Sequence, residues 1–296
     1  MSQNQRAFGN LARLTKMRVQ VDKSGTKAQV VLPGFSYDDF DRTGNISVHK
    51  LQKLLTAVRF LAYHTPQEGG YGFLDYDHMT ADRFTFMAST RTEISRAFYK
   101  MTKTAQAPPN FGVNLHLGFV GGSSLNSVAT MIDLDKEEEY VKNVNTVVSV
   151  EKATRKPVAL PSWWVERYKK TVKDNQRLVI RPVEVSSNTH LYNMKVTWND
   201  IDAYKHTNYV AYVRFCLDAA MDATVQGHYS KFSEDILKYH IKMMEMLYKG
   251  ESLANDELKI NTWENEENPY KLHFDISKDG STIFQNTIEY YSPESE

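Results

Sequence analysis

The sequence predicts an α+β protein in which one structural unit occurs twice, each copy a long helix followed by an antiparallel sheet. Two observations predict it. A strand-like run, an acidic loop and an apolar-periodic helix appear in that order near residue 40 and again near residue 200. The copies superpose at a constant offset of 161 residues, which sets Tyr37 on Trp198, Asp39 on Asp200, Phe40 on Ile201, Asp41 on Asp202, Asn45 on His206, Leu54 on Phe215 and Val58 on Ala219. The second observation is the run of alternating apolar and polar residues, punctuated by turn signals, that follows each helix.

In the first half, Met17 to Tyr37 alternates around Lys23-Ser24-Gly25 and reads as strand, turn, strand. After the polar loop Asp38 to Asn45, Leu51, Leu54, Leu55, Val58, Leu61 and Ala62 recur at three and four, predicting a helix from about Ser47 to Tyr63. Tyr71 to Phe86 is aromatic and loop-rich, Thr90 to Thr104 reads as strand or second helix, and Pro108-Pro109 closes that excursion. Gly112 to Val120, Ser124 to Leu134 and Thr146 to Glu151 are strands. A prolyl, charged segment through Trp163-Trp164 connects the halves and ends near Thr189. In the second half, a strand-like run ending at Trp198 leads through a polar loop to a helix opening near Thr207. Ile236 to Tyr248, Glu257 to Trp263, Tyr270 to Ile276 and Thr282 to Tyr290 are strands, the last two joined by a Lys278-Asp279-Gly280 turn. The expected boundaries are 1–155 for the first unit, 156–189 for the connector and 190–296 for the second unit.

Composition narrows the function. At 296 residues and 41% hydrophobic content the chain can fill a sizeable core. Its 36 basic and 36 acidic residues cancel, so no global field draws it to nucleic acid or an anionic membrane. Cys216 is the only cysteine, which excludes an internal disulfide and a multi-Cys zinc site and fits a reducing, cytoplasmic setting. Among Phe215, Leu217 and Ala219 it reads as a small buried hydrophobe. No run approaches the roughly 18 apolar residues of a membrane span. Arg6, Arg13, Lys16 and Arg18 form an ordinary basic N-terminal arm. His116, His228, His240 and His273 lack metal-ligand spacing, so neither metal nor cofactor is expected. Gly118 and Gly121-Gly122 fit a strand bend or close helix contact and not a phosphate loop. Arg155, Lys156, Lys169 and Lys170 form a basic cluster that reads as a solvated face.

Chemistry concentrates in Val196 to Tyr212. A strand that delivers Asp and His to a helix N-terminus gathers a base, a proton carrier and polarising N–H groups in one place. The spacing Asp200-x-Asp202-x-x-x-His206-x-Asn208-x-x-x-Tyr212 resembles the motif of hotdog-fold thioesterases, and the duplicated order, with its prolyl connector, is most similar to the double-hotdog acyl-ACP thioesterases. The resemblance implies two tandem hotdog units, each a long helix wrapped by a curved antiparallel sheet, that form an internal pseudo-dimer, compatible with a homodimer. It implies hydrolysis of an acyl thioester of phosphopantetheine, carried on acyl carrier protein or CoA. In its terms Asp202 is the catalytic carboxylate, His206 the motif histidine and Asn208 the first helix-start asparagine, with Tyr204 and Tyr209 beside the substrate. Lys205 stands where the motif has glycine, Tyr209 where it has a second asparagine, and Tyr204 where plant-type enzymes have asparagine. Asp41 and Asn45 mark a vestigial half-site, the first half contributing chiefly an acyl pocket.

Other readings of the same residues stand beside these. Asp202 or Thr207 reads, as the second choice, as a helix cap, Asp200 as a loop-ordering residue, and Glu245 as a solvent-facing acid in an apolar strand. An acyl-binding protein that kept the fold without turnover is the alternative function. An enoyl-thioester hydratase or dehydratase ranks below it, because the usual hydratase motif places histidine five residues after the aspartate and the separation here is four.

Overall fold

The computed structural model describes residues 14–65, 72–104 and 109–293; Arg6, Arg13, Tyr71 and Pro108 of the sequence reading lie outside them. The described chain is a mixed α/β fold with extensive antiparallel sheet and few helices. No helix among the described residues is long and apolar enough to cross a membrane. Two compact units form, the first from described residues within Met1–Tyr37, Lys53–Ala88 and Ser95–Val179, the second from Asp38–Gln52, Ser89–Ile94 and Ile180–Glu296. Strand β3 (Arg83–Ile94) has its first half in one unit and its second half in the other.

In the first unit β1 (Arg18–Val21) and β2 (Lys27–Val31) form a hairpin, and β4 (Phe111–Val120), β5 (Ser124–Asp133) and β6 (Glu138–Glu151) follow in antiparallel order. The hairpin turn closes because the Asp22 carboxylate accepts the N–H groups of Thr26 (2.8 Å) and Lys27 (2.9 Å). The β4–β5 register breaks between Leu117 and Phe119, where a Cβ on Gly118 would meet Val128 Cγ2 at 2.8 Å. The glycine is therefore a strand bend, as expected. Helix α1 (Val48–His64), which belongs to this unit from Lys53 on, buries Leu55, Val58, Leu61 and Ala62, the stripe its 3.6-residue period predicts. Arg59 on that helix is also buried and donates to Ser127 Oγ (3.0 Å) and the Asn143 carbonyl (2.9 Å). The connector contributes a short helix of its own, Ser162–Tyr168, whose Trp164 indole donates to the Leu74 carbonyl at 2.7 Å.

In the second unit Ser89 to Glu93 of β3 pairs with β8 (Ile241–Tyr248), and the order continues through β11 (Ser281–Tyr290), β10 (Lys271–Lys278), β9 (Glu257–Glu264) and the edge strand β7 (His190–Lys195). The second long helix, here α2 (Ala211–Val225), lays Cys216, Ala219, Ala220 and Ala223 into the core, and Tyr212 stacks on Phe284 of β11 at 4.9 Å. Small side chains let this helix approach the sheet closely. Buried Cys216 fits the sequence reading. Glu245 does not face solvent alone: it accepts from Arg91 across the β3–β8 pair, Nε to Oε1 at 2.9 Å. Gln285 ties the incoming segment to the sheet. Its carboxamide donates to the Val183 carbonyl (2.9 Å) and to Asp275 (2.9 Å), and accepts from the Val183 N–H (3.3 Å) and Lys249 Nζ (3.1 Å).

Several boundaries move relative to the sequence. Thr90 to Thr104 is both candidates in succession, the end of β3 and then a helix, Arg96–Thr104. The strand expected from Ile236 is a 3₁₀ turn, Ile236–Lys238, before β8 begins at Ile241, because the Asp235 side chain caps that turn by accepting the Leu237 N–H. β7 ends at Lys195, so Trp198 lies in a 3₁₀ turn, Trp198–Asp200, and α2 begins at Ala211 instead of near Thr207.

Replacing Gln285 by alanine removes all four bonds and leaves the buried Asp275 short of a donor. The variant is expected to lose about 1–3 kcal/mol of stability, read from chemical denaturation, with an unchanged m-value.

Candidate functional site

The two acidic loops fold into the same turn, bond for bond. In the first, the Asp41 N–H donates to the Asn45 carbonyl (2.8 Å), Gly44 N–H to the Asp41 carbonyl (3.0 Å), and Ser47 N–H to the Asp39 carbonyl (2.8 Å). In the second, offset by 161 residues, Asp202 N–H donates to His206 (2.9 Å), Lys205 N–H to Asp202 (3.0 Å), and Asn208 N–H to Asp200 (2.7 Å). Each turn is flanked by one bridge, Phe40 with Ile46 and Ile201 with Thr207. In each the aspartate carboxylate accepts the N–H two residues on, Thr43 or Tyr204, at 2.8 Å. Lys205 takes the backbone conformation of its counterpart Gly44, φ +67 against +81. Repeat register read from sequence is thus repeat geometry in space.

The second turn is fastened to its helix by Asp200. This buried carboxylate accepts the Thr197 N–H (2.9 Å) and hydroxyl (2.7 Å) on one oxygen and Arg214 Nη2 of α2 (2.6 Å) on the other. Burial works against its ionisation, but the bonds from Thr197 and Arg214 outweigh it and hold the carboxyl below its ordinary value. Arg214 also pairs with Asp218 (2.9 Å), an acid that burial raises and both Arg214 and Arg42 pull back down. Asp200 is therefore an ordering residue.

Asp202 and His206 come together on the turn, Oδ1 to Nδ1 at 3.7 Å, both partly buried. Burial pushes the Asp202 carboxyl above its usual value and the nearby Glu251 adds to this, against the N–H groups of Tyr204 and His206 and the imidazole itself. Tyr204 is exposed and lies nearly parallel to the His206 ring, centroids 5.9 Å apart. Asn208 accepts the Val210 N–H on Oδ1 (3.0 Å), and Tyr209 accepts from the Tyr248 hydroxyl on its carbonyl (3.3 Å). Neither Asp202 nor Thr207 caps α2; Asp202 caps its own turn.

The polarising N–H groups expected at the helix start are corrected at three positions: those of Asn208, Val210 and Ala211 are bonded to Asp200, Asn208 Oδ1 and the Asn208 carbonyl (2.8 Å) respectively. The extra turn between His206 and Ala211 absorbs them. Asp41 and Asn45 are also engaged: Asn45 Nδ2 donates to the Leu237 carbonyl (3.2 Å), and the neighbouring Arg42 holds Asp235 through two bonds of 2.6 and 2.8 Å. Sequence reasoning missed Arg214, Glu251 and Ser252. The i, i+4 spacing of Arg214 and Asp218 was a readable signal, whereas Glu251 and Ser252 reach the turn only through the fold.

Residues 183–292 match the family model described as the acyl-ACP thioesterase C-terminal domain. No curated protein sequence matches the chain. Among solved structures, an acyl-ACP thioesterase from Bacteroides thetaiotaomicron is similar at 19% identity with a TM-score of 0.63, covering 90% of this chain and 97% of its own. A 12:0-ACP thioesterase from Umbellularia californica is similar at 14% identity with a TM-score of 0.68, covering 92% of this chain and 99% of its own. At such identities the structural likeness establishes the shared fold.

Two expectations follow from the turn. Because the Asp200 carboxyl is lowered by folding, its stabilisation is present above the unfolded value of 3.8 and fades as pH falls through the lower folded value. Asp200→Asn is expected to unfold more easily than wild type at pH 7, with the gap narrowing below about pH 4, as followed by denaturation at both pH values. Lys205→Gly relieves a left-handed lysine and is expected to stabilise the protein by about 0.5–1 kcal/mol, measured the same way.

Proposed function

We propose that the chain hydrolyses an acyl thioester of phosphopantetheine, on acyl carrier protein or CoA, with its catalytic centre on the second turn. The family-model match over residues 183–292 indicates acyl-thioester hydrolysis; the proposal adds the residues and the organisation. The observation that carries it is the Asp202–His206 pair, 3.7 Å apart and partly buried on a turn made rigid by backbone bonds at both ends. In this reading Asp202 accepts a proton from water as the water oxygen bonds to the acyl carbon, and passes that proton to His206. Collapse of the tetrahedral intermediate breaks the carbon–sulfur bond, and His206 delivers the same proton to the departing thiolate, which returns both side chains to their starting state. A carboxyl shifted upward by burial is a better base for water than an ordinary surface carboxylate. Asn208, whose Oδ1 is held by Val210, offers its Nδ2 to the substrate carbonyl, and Tyr204 and Tyr209 flank the substrate.

The organisation proposed is two tandem hotdog units, 1–155 and 190–296 joined by 156–189, working in the cytoplasm, with Asp41 and Asn45 as the vestigial counterpart of the catalytic pair. The bonds of Asn45 to Leu237 and of Arg42 to Asp235 support that reading, since they employ the first turn in holding structure. One observation favours acyl binding without turnover: the N–H groups of Asn208, Val210 and Ala211 are already bonded.

Assay of a panel of acyl-CoA and acyl-ACP substrates decides between these. Wild type is expected to release free acid, and Asp202→Asn and His206→Ala to lower kcat about 100-fold or more. Equal rates in the three proteins, or a bound acyl species that is never released, would overturn the assignment.

A further inference from the structure

The duplicated turn supplies an internal control for deciding which buried groups the fold needs and which the chemistry needs. Behind the second turn lie three buried hydroxyls in a chain. Thr207 Oγ1 bonds Ser252 Oγ at 2.7 Å, and the Tyr212 hydroxyl bonds the same Ser252 Oγ at 2.9 Å. The Thr207 N–H also donates to the Ser252 carbonyl at 2.8 Å. Ser252 has no exposed surface, and Thr207 and Tyr212 are nearly as buried.

At the first turn the offset of 161 residues puts Ile46 where Thr207 stands and Leu51 where Tyr212 stands, and both are buried. The turn itself makes the same backbone bonds there, including the bridge of Ile46 with Phe40, and its helix opens two positions earlier in the repeat, at Val48. Apolar side chains therefore satisfy the turn, the helix start and the core. Hydroxyls in the same places cost desolvation unless all are bonded, and they add nothing the fold lacks. Thr207 and Tyr212 thus have apolar counterparts in the copy that holds Asn45 where the second turn holds His206.

Resting on the catalytic reading of the second turn, we infer that the Thr207–Ser252–Tyr212 hydroxyl chain positions His206 for catalysis. Thr207 is covalently next to His206, so its two bonds to Ser252 fix the peptide from which the imidazole projects. Ser252 in turn follows Glu251, whose charge reaches Asp202, so one loop is coupled to both members of the pair. Burial raises the Tyr212 hydroxyl further above neutrality, and it can donate to Ser252, which leaves the serine proton for Thr207. The three are positioning residues, since they reach the reacting atoms only through His206 and its neighbours.

The test transplants the first turn's own solution. Thr207→Ile with Tyr212→Leu is compared with Ser252→Ala and with wild type, in hydrolysis of the best acyl-CoA from the panel and by NMR of the His206 ring. Each variant is expected to lower kcat about tenfold or more with KM within twofold, to displace or broaden the His206 ring resonances, and to keep a folded spectrum. Should the double variant not fold, Ser252→Ala and Thr207→Val, which changes shape least, carry the same expectation. A wild-type kcat, a KM effect alone, or an unmoved His206 resonance with lowered kcat would overturn the inference. If wild type itself hydrolyses no acyl thioester, the catalytic reading fails instead, and the NMR comparison still reports whether the hydroxyl chain holds the imidazole.

Discussion

The second turn depends on one buried carboxylate. Asp200 closes the 3₁₀ turn through Thr197 and grips α2 through Arg214, while its carbonyl accepts the Asn208 N–H on the far side of the loop. A buried carboxylate with fewer donors would be unstable in this position. With three, it becomes the fixed point from which Asp202, His206 and Asn208 are measured. The chemistry proposed for the turn needs a carboxyl and an imidazole at a set separation, and that separation is inherited from bonds made by other residues.

Much of the architecture was readable because the repeat is written in side chains with strong local rules. Aspartates that accept their own loop's N–H groups, followed by helices with apolar residues at three and four, recur at one offset in sequence, and the two turns make corresponding hydrogen bonds. What could not be read was register at a distance. Nothing near Ser252 in the sequence says that it lies behind Thr207, and Glu245 reads as solvent-facing until Arg91 is seen on the adjoining strand. The helix start was misplaced for a related reason. Thr207 looks like a cap, but its hydroxyl is already bonded to Ser252, so the chain makes another turn before α2 begins.

The sequence expected Asp202 and His206 on one turn, and they approach to 3.7 Å there, but the N–H groups of Asn208, Val210 and Ala211, expected to face a substrate, are bonded within the chain. Lys205 shows the same limit from another side. Its type suggested a departure from a glycine position, and its positive φ shows that the turn keeps the glycine geometry with a lysine in it. Sequence can report that a residue is unusual, whereas the backbone reports that the unusual residue was accommodated without changing the path of the chain.

The equivalence of the two turns also bears on how such a protein can change over time. Since the first turn is held by Arg42 and Asn45 to the segment around Asp235 and Leu237, it works as a strut. On the catalytic reading proposed above, a strut and a reaction centre built on one backbone plan are separately adjustable: the strut can harden against unfolding while its twin drifts toward a different acyl group. A turn present twice in one chain has what a symmetric assembly of identical subunits lacks, the freedom to alter one copy without altering the other.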